Sequence, residues 1–262
     1  MKQAKLFSAF LLTVLFFSCD KDDSDYNPSP ELPEATVLKA AGDSAGIVAK
    51  LNEFRLLAGD PLNTAPGANA GRREVNWDAV PANFTNSNNF PFDFFGSADP
   101  NLGNGRKRGL ILINTGTSFR VDSTDFSEID PSYPAQFEAF SRKRLFTYVN
   151  NNVTEISFKV PGTNTNAFVK GFAVIFSDVD NANSTTVEYF NGSKSLGVFA
   201  ATPAPQGFSF VGVGFPDEKI TRVKITSGNG LLANGVKDIS AGGTKDLVVM
   251  DDFLYDEPKA IN

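Results

Sequence analysis

Hydrophobic and polar residues alternate in many segments with the period of two that β-strands show. The clearest segment is residues 154–160, TEISFKV, in which Ile156 and Phe158 alternate with polar side chains. Residues 220–226, ITRVKIT, repeat the arrangement, with Val223 and Ile225 on one face. These patterns predict strands with one face in a core and the other in water.

Other segments are apolar at consecutive positions. Residues 109–114 and 171–176, GLILIN and GFAVIF, are typical of central strands that are covered on both faces. Asn191 and Gly192 lie between two strand-like runs and indicate a β-hairpin. Residues 246–255, DLVVMDDFLY, predict a last strand that closes the domain.

One segment has the spacing of a helix. Four apolar side chains of residues 43–58 repeat at helical intervals, namely Ile47, Leu51, Phe54 and Ala58, and Gly59 provides a stop. From Arg72 onward, short apolar runs are separated by Gly, Pro, Asn and Asp. We therefore predict an all-β fold, a jelly-roll-like antiparallel β-sandwich with a short N-terminal helix.

The N-terminal residues have the pattern of a secretion signal. Two lysines precede an apolar run over residues 6–17, which is too short to span a membrane. The tract LFFSCD, residues 15–20, resembles the lipobox of bacterial lipoproteins, and this resemblance implies that Cys19 is the lipidated first residue of the mature chain. The alternative is an ordinary signal peptide with an incidental cysteine. Multiple acylation of Cys19 would hold the protein on a membrane.

An acidic, proline-rich segment follows Cys19 and cannot bury apolar surface, so it predicts an extended tether. Its acidic residues resemble the signal that exports some Gram-negative lipoproteins to the outside of the outer membrane; the alternative is a plain solvated linker. We predict a signal peptide at residues 1–18, a tether at residues 19–34 and a single domain at residues 35–262. The expected location is the outer membrane, facing the extracellular side.

The amino-acid composition excludes several classes of partner and catalytic site. Removal of residues 1–18 leaves 22 basic and 30 acidic residues, a net charge of -8, which disfavours nucleic acid as a partner. The chain contains no histidine, so Ser-His-Asp systems and most catalytic zinc sites are excluded. The single cysteine is the predicted anchor.

Two groups of aspartates are candidate calcium ligands. Asp178 and Asp180 follow a buried strand within FSDVDNANS, and oxygen donors suit calcium. The alternative is a polar turn. Asp251 and Asp252 are adjacent within an apolar strand, so they are expected to point to opposite faces, with at least one of them buried. Calcium or a salt bridge to Arg72 or Arg73 would stabilise that carboxylate.

The segment GRREVNWD, residues 71–78, places Val75 and Trp77 on one face and mostly polar residues on the other. It predicts an opening strand whose charges pair with the closing strand. The alternative is a ligand groove. Four charged residues are candidates for either role: Arg72, Arg73, Glu74 and Asp78.

Several sequence segments resemble those of a known protein family. The segments GRREVNWDAVP, RLFTYV, VPGTNTNAFVKGFAVIFSDVD, VEYFNG, TRVKITSG and VVMDDFLYDEP occur in that order. They resemble a recurring set in bacterial secreted and surface proteins, many of which end in a PEP-CTERM sorting tail, and which have no established activity. This chain ends in DEPKAIN and starts with the lipobox, which implies a different anchor. MDDFLY is also similar to the last strand of jelly-roll carbohydrate-binding modules, where such aspartates help to hold calcium.

These observations favour a surface lipoprotein whose sandwich binds extracellular polysaccharide or another cell-surface component. A structural calcium ion is expected near Asp251 or Asp252, with Asp178 or Asp180 as further candidate ligands. A structural or adhesive module that binds surface proteins is the alternative. A polysaccharide-degrading enzyme that uses a carboxylate pair is a third hypothesis, and no catalytic residue is assigned.

Overall fold

The computed structural model describes residues 32–113 and 118–261. The predicted signal peptide, Cys19 and most of the predicted tether lie outside the described residues. Leu32–Asn262 form one compact unit. In the part of the chain that the structure describes, no helix combines the length and the apolar composition needed to cross a membrane.

The described elements are mainly strands. The strands are β1 Thr36–Gly42, β2 Arg72–Val75, β3 Ser87–Phe90, β4 Leu110–Leu112, β5 Phe119–Asp122, β6 Leu145–Tyr148, β7 Val153–Lys159, β8 Asn166–Phe168, β9 Gly171–Val179, β10 Thr186–Asn191, β11 Lys194–Ala200, β12 Ala204–Gly214, β13 Arg222–Thr226, β14 Val249–Asp256 and β15 Lys259–Ala260. The helices are α1 Ser44–Ala58 and the 3-10 helices Trp77–Ala79, Ala82–Phe84, Asn104–Arg106 and Tyr133–Ala135.

The described strands form two antiparallel sheets. The first has the order β1-β12-β9-β14-β6-β5-β3, and β2 also pairs with β14. The second has the order β11-β10-β13-β7-β8-β15, and β4 also pairs with β7. The prediction of a jelly-roll-like antiparallel β-sandwich with a short N-terminal helix is confirmed.

The inner faces of both sheets contribute to one large core. Phe172, Val174 and Phe176 of β9 share this core with Ile156 of β7 and Val223 of β13. Their burial follows from the alternation in the sequence, because every second residue of a strand faces the same side. The period-two prediction for β7 and β13 is confirmed.

Helix α1 covers the outer face of the first sheet, which explains why β9 is apolar at consecutive positions. Ile47 and Leu51 belong to a second core cluster with Ala173 and Ile175 of β9. The Asp43 side chain begins the helix by accepting a hydrogen bond from the Gly46 N–H at 2.8 Å.

The opening stretch of charged residues contributes its tryptophan to the core. Strand β2 pairs with β14, with Val75 opposite Phe253. Trp77 is fully buried, and its ring stacks on Phe146 at a centroid distance of 4.3 Å. Its Nε1 donates a hydrogen bond to the Asp251 carbonyl oxygen at 2.8 Å. Trp77 therefore stabilises the sandwich and offers no surface to a ligand.

Arg73 and Glu257 form a buried bidentate ion pair. Arg73 Nε lies 2.8 Å from Glu257 Oε2, and Arg73 Nη2 lies 2.7 Å from Oε1. Asn63 Nδ2 also donates to Oε2 at 2.8 Å. The pair joins the start of β2 to the residue after β14, so it fixes the position of the closing strand.

One of the two predicted alternatives, a salt bridge from Arg72 or Arg73 to Asp251 or Asp252, was wrong. Arg72 pairs with Glu74 and Asp60, and Arg73 pairs with Glu257, not with Asp251 or Asp252. The strand register gives the reason. Arg73 lies opposite Tyr255, which is four residues, or about 13 Å of strand, from Asp251.

We expect Glu257→Leu to lower the free energy of unfolding by about 3–5 kcal/mol, because it leaves the Arg73 guanidinium buried without its charge partner. Denaturant unfolding would measure the loss. Glu53→Leu, at an exposed ion pair, should change stability by less than about 0.5 kcal/mol. The double variant Arg73→Met/Glu257→Leu should be more stable than Glu257→Leu. Equal losses for Glu257→Leu and Glu53→Leu would contradict the role of the pair.

Candidate functional site

Asp178 lies near the end of β9, opposite a bulge in β12. Ala204 pairs with Val179 and Phe208 with Ser177, so residues 205–207 oppose the single residue Asp178. Asp178 has φ 66°, in the left-handed region, and its side chain is buried.

The Asp178 carboxylate is held from two sides. The Gln206 N–H donates to Oδ1 at 2.7 Å, and Gln136 Nε2 donates to Oδ2 at 3.0 Å. Gln136 is buried, and its own Oε1 has no hydrogen-bond partner among the described residues. An unpaired amide oxygen therefore adjoins a buried carboxylate.

Asp180 and Asp238 complete an acidic triad with Asp178. One carboxylate oxygen from each of the three residues lies within 4.8 Å of the others. Asp238 is buried and accepts hydrogen bonds from the Leu247 N–H at 2.6 Å and the Ser240 N–H at 2.7 Å. Asp180 Oδ2 accepts from the Ser240 N–H at 3.1 Å, whereas Oδ1 is buried without a hydrogen-bond partner in the described part of the chain.

Burial and repulsion by neighbouring carboxylates disfavour ionisation of Asp178 and Asp180. Burial raises the pKa of Asp178 to about 6, with further contributions from Asp238 and Asp246. Burial raises the pKa of Asp180 to about 7, with further contributions from the neighbouring carboxylates Asp178 and Asp238. No ion pair reaches the triad within residues 32–113 and 118–261. The triad can hold a metal ion, and its oxygen donors suit a hard divalent cation.

The structure brings together Asp178 and Asp180, which the sequence predicted as metal ligands. It adds Asp238, which was not predicted from the sequence. Asp238 lies in the loop between β13 and β14, within KDISAGGTKD. No sequence periodicity or motif spacing connects Asp238 to Asp180. The only local signal is the glycine pair Gly242 and Gly243, which indicates a tight turn in that loop. Asp246 was also missed. Its carboxylate accepts hydrogen bonds from the Asp180 and Asn181 N–H groups and so positions the turn after β9.

Asp251 and Asp252 lie in a different environment, and the prediction that they point to opposite faces was wrong. The register of β14 against β9 shifts between Met250 and Phe253, which breaks the strict alternation. Both carboxylates lie within hydrogen-bond distance of Ser141 Oγ, at 3.2 Å for Asp251 and 2.6 Å for Asp252. The described residues place neither of them in the acidic triad.

The environments of Asp251 and Asp252 favour different protonation states. Asp251 Oδ2 accepts hydrogen bonds from the Phe140 N–H at 2.6 Å and the Ser141 N–H at 3.2 Å, which favour its charged form although burial raises its pKa. Burial and repulsion by Asp251 raise the pKa of Asp252 to about 9. Burial and this repulsion therefore favour the protonated form of Asp252.

The charged residues of the opening stretch have structural partners. Glu74 pairs with Arg72 and Arg55, and Asp78 Oδ1 accepts from the Lys143 N–H at 3.1 Å. Glu74 also lines a cavity of 180 Å³ beside Arg106. The stretch thus acts mainly as an opening strand.

Two larger cavities open at the surface. One, of 370 Å³, lies beside the C-terminal end of α1 and includes Leu57, Gly71 and Asp256. The other, of 410 Å³, lies at the β12 bulge and includes Asp43, Glu138 and Gln206. Gln206 also contacts Asp178, so the second cavity adjoins the triad.

Comparison of the chain with protein-family models, with curated proteins and with solved structures gives no match.

We expect Asp252→Asn to flatten the pH dependence of stability. Because the folded protein raises the pKa of Asp252 from 3.8 to about 9, the contribution of this carboxyl to stability is complete below pH 3.8 and is lost as the pH rises through about 9. Asparagine mimics the protonated acid and removes this loss. Unfolding free energies measured from about pH 5 to pH 9 should fall less steeply for Asp252→Asn than for the wild type. Parallel curves would contradict the assignment, and exposed Asp217→Asn is the control.

Proposed function

We propose that this protein is a surface-anchored lipoprotein whose β-sandwich binds extracellular polysaccharide or another cell-surface component, with a structural calcium ion at Asp178, Asp180 and Asp238. The acidic triad carries the proposal, because its buried Asp180 Oδ1 has no hydrogen-bond partner among the described residues. A divalent cation would supply both the missing partner and the missing positive charge.

The donor set favours calcium over zinc. The triad offers only oxygen atoms, and calcium accepts six to eight oxygen ligands in flexible geometry. Magnesium requires a stricter octahedral arrangement than carboxylates on a strand end and a separate loop provide. Backbone carbonyls, the Gln136 amide and water would complete the coordination shell.

The anchor and tether support a surface location. The lipobox-like segment ending at Cys19 implies membrane attachment, and the acidic, proline-rich residues after it would extend the domain away from the membrane. The net negative charge disfavours nucleic acid as a partner.

The aromatic residues restrict how a glycan would be recognised. Trp77 and every tyrosine of the described residues are buried, so no Trp or Tyr ring in that part of the chain offers a stacking platform. Recognition would depend on hydrogen bonds from a polar cleft. This requirement favours the cavity at the β12 bulge, whose lining contains carboxylate, hydroxyl and amide groups.

A structural or adhesive role is the second candidate, and exposed apolar side chains favour it. Leu56 of α1 is 73% exposed, and Val198 of the edge strand β11 is 58% exposed. Edge strands and exposed apolar residues are common at protein interfaces. Self-association of the purified protein would favour this role.

We expect calcium to raise the melting temperature of residues 19–262. At about 10 mM calcium, roughly a hundredfold above the dissociation constant of a tight extracellular site, the stabilisation should be about 2.7 kcal/mol. This corresponds to a rise of about 5–10 °C. Asp180→Asn should abolish the response, whereas exposed Asp217→Asn should retain it. An unchanged wild-type midpoint would count against the calcium ion.

We expect the same protein to be retained on an immobilised polysaccharide in calcium and released by chelator. A panel of neutral glucans, xylan and mannan with the anionic alginate and pectin would test this, and Asp180→Asn would serve as the calcium-insensitive comparison. Chelator-sensitive retention would support the proposed function. Absence of retention across the panel, together with self-association, would instead support the adhesive role.

A further inference from the structure

The bulge in β12 holds a strained backbone against the acidic triad. Gln206 has φ 55°, and Asp178, which accepts its N–H, has φ 66°. Two non-glycine residues in the left-handed region therefore face each other across one hydrogen bond. Gly207 packs closely as well, since a Cβ atom there would lie 2.9 Å from the Gly42 carbonyl oxygen. The bulge has little freedom to move independently of Asp178.

The cleft beside this bulge, of 410 Å³, has the size and the polar groups of a binding site. Its lining includes the polar residues Asp43, Ser44, Glu138 and Gln206 and the buried Phe208. The described residues that line it include two carboxylates and no lysine or arginine. Such a cleft accepts hydrogen bonds from hydroxyl groups and repels anions.

The connection to the triad is direct. Gln136 donates to Asp178 Oδ2, Gln206 donates through its backbone to Asp178 Oδ1, and Gln206 Nε2 reaches the Ala135 carbonyl oxygen at 3.4 Å. The Glu138 N–H donates to Ser177 Oγ at 3.1 Å, next to Asp178. Two residues of the cleft, Gln206 and Glu138, are therefore held by the same strand end that carries a triad carboxylate.

The other large cavity fits this role less well. Its carboxylates are already engaged: Glu257 is paired with Arg73, Asp60 is paired with Arg72, and Asp256 Oδ1 accepts the Lys170 and Gly171 N–H groups at 2.7 and 2.8 Å. It also lacks any hydrogen bond to the triad among the described contacts.

We propose that the cleft at the β12 bulge binds neutral, hydroxyl-rich glycan, and that a calcium ion in the triad fixes the shape of the cleft through the Asp178–Gln206 hydrogen bond. This inference rests on the proposed function and adds to it the binding surface, the class of glycan and the reason for dependence on calcium.

The first test uses calcium alone and needs no glycan. Hydrogen exchange of residues 19–262 should show that calcium slows exchange of the Gln206 amide by about tenfold, because the ion orders its acceptor, Asp178. The hairpin tip at Asn191 and Gly192 is the internal control and should be unaffected. Asp180→Asn should remove the effect. Calcium-dependent melting without slower exchange at Gln206 would overturn the coupling.

The second test compares variants on the neutral and anionic polysaccharides of the panel. Gln206→Gly removes the side-chain amide, keeps the backbone N–H and suits the left-handed backbone. Glu138→Gln removes one exposed carboxylate. Each should weaken retention on a neutral polysaccharide by about fivefold to tenfold and leave the calcium-induced rise in melting temperature intact. Glu53→Gln, on the exposed side of α1, is the matched control.

The outcomes separate the two proposals. Retention that is sensitive to chelator but unchanged by Gln206→Gly and Glu138→Gln would overturn the cleft and leave the proposed function standing. Retention restricted to alginate or pectin would overturn the assignment to neutral glycans. Absence of retention for the wild type would overturn the binding of polysaccharide in both proposals, whatever the exchange data show.

Discussion

The cost of burying carboxylates is the constraint on which much of this structure depends. Eight carboxylates are buried in the described part of the chain, against two buried arginines. An unpaired buried charge is strongly destabilising, so each carboxylate must be paired, hydrogen-bonded, protonated or bound to a cation. Glu257 and Asp122 are paired with Arg73 and Arg120, and Asp246 accepts backbone N–H groups. Asp252 is stabilised by protonation. The triad is left with the least complete compensation, which is why it is the best candidate for a ligand.

Some of the buried carboxylates lie where strands depart from regular pairing. The register of β14 shifts where Asp251 and Asp252 lie, and that of β12 shifts opposite Asp178. A bulge changes the direction of a side chain and frees backbone N–H groups that a regular ladder would use. At Asp178 the bulge supplies the Gln206 N–H to the carboxylate and also opens a cleft at the surface. Compensation of a buried charge and formation of a surface cleft therefore have one structural origin.

The sequence predicted the features that depend on local periodicity. The alternation around Ile156 and Val223 identified half-buried strands, and the two-sided apolar run of β9 reflects its position between the sandwich core and α1. Pairings between distant residues could not be read in this way. Glu257 contacts Arg73, and Asp238 contacts the other triad aspartates, only through the tertiary fold that positions β14 and the loop before it. Adjacent residues point to opposite faces only in a regular strand, so the prediction failed where β14 is irregular at Asp251 and Asp252. No residue type at these positions predicts a bulge.

A crystal structure of residues 19–262 grown with calcium would test the central claim most directly. The account predicts an ion between Asp178, Asp180 and Asp238, with metal–oxygen distances of about 2.3–2.6 Å and Asp180 Oδ1 among its ligands. The anomalous signal of the ion would identify it as calcium. A structure in which Asp180 and Asp238 instead share a proton, with only water beside Asp180 Oδ1 at that calcium concentration, would contradict it.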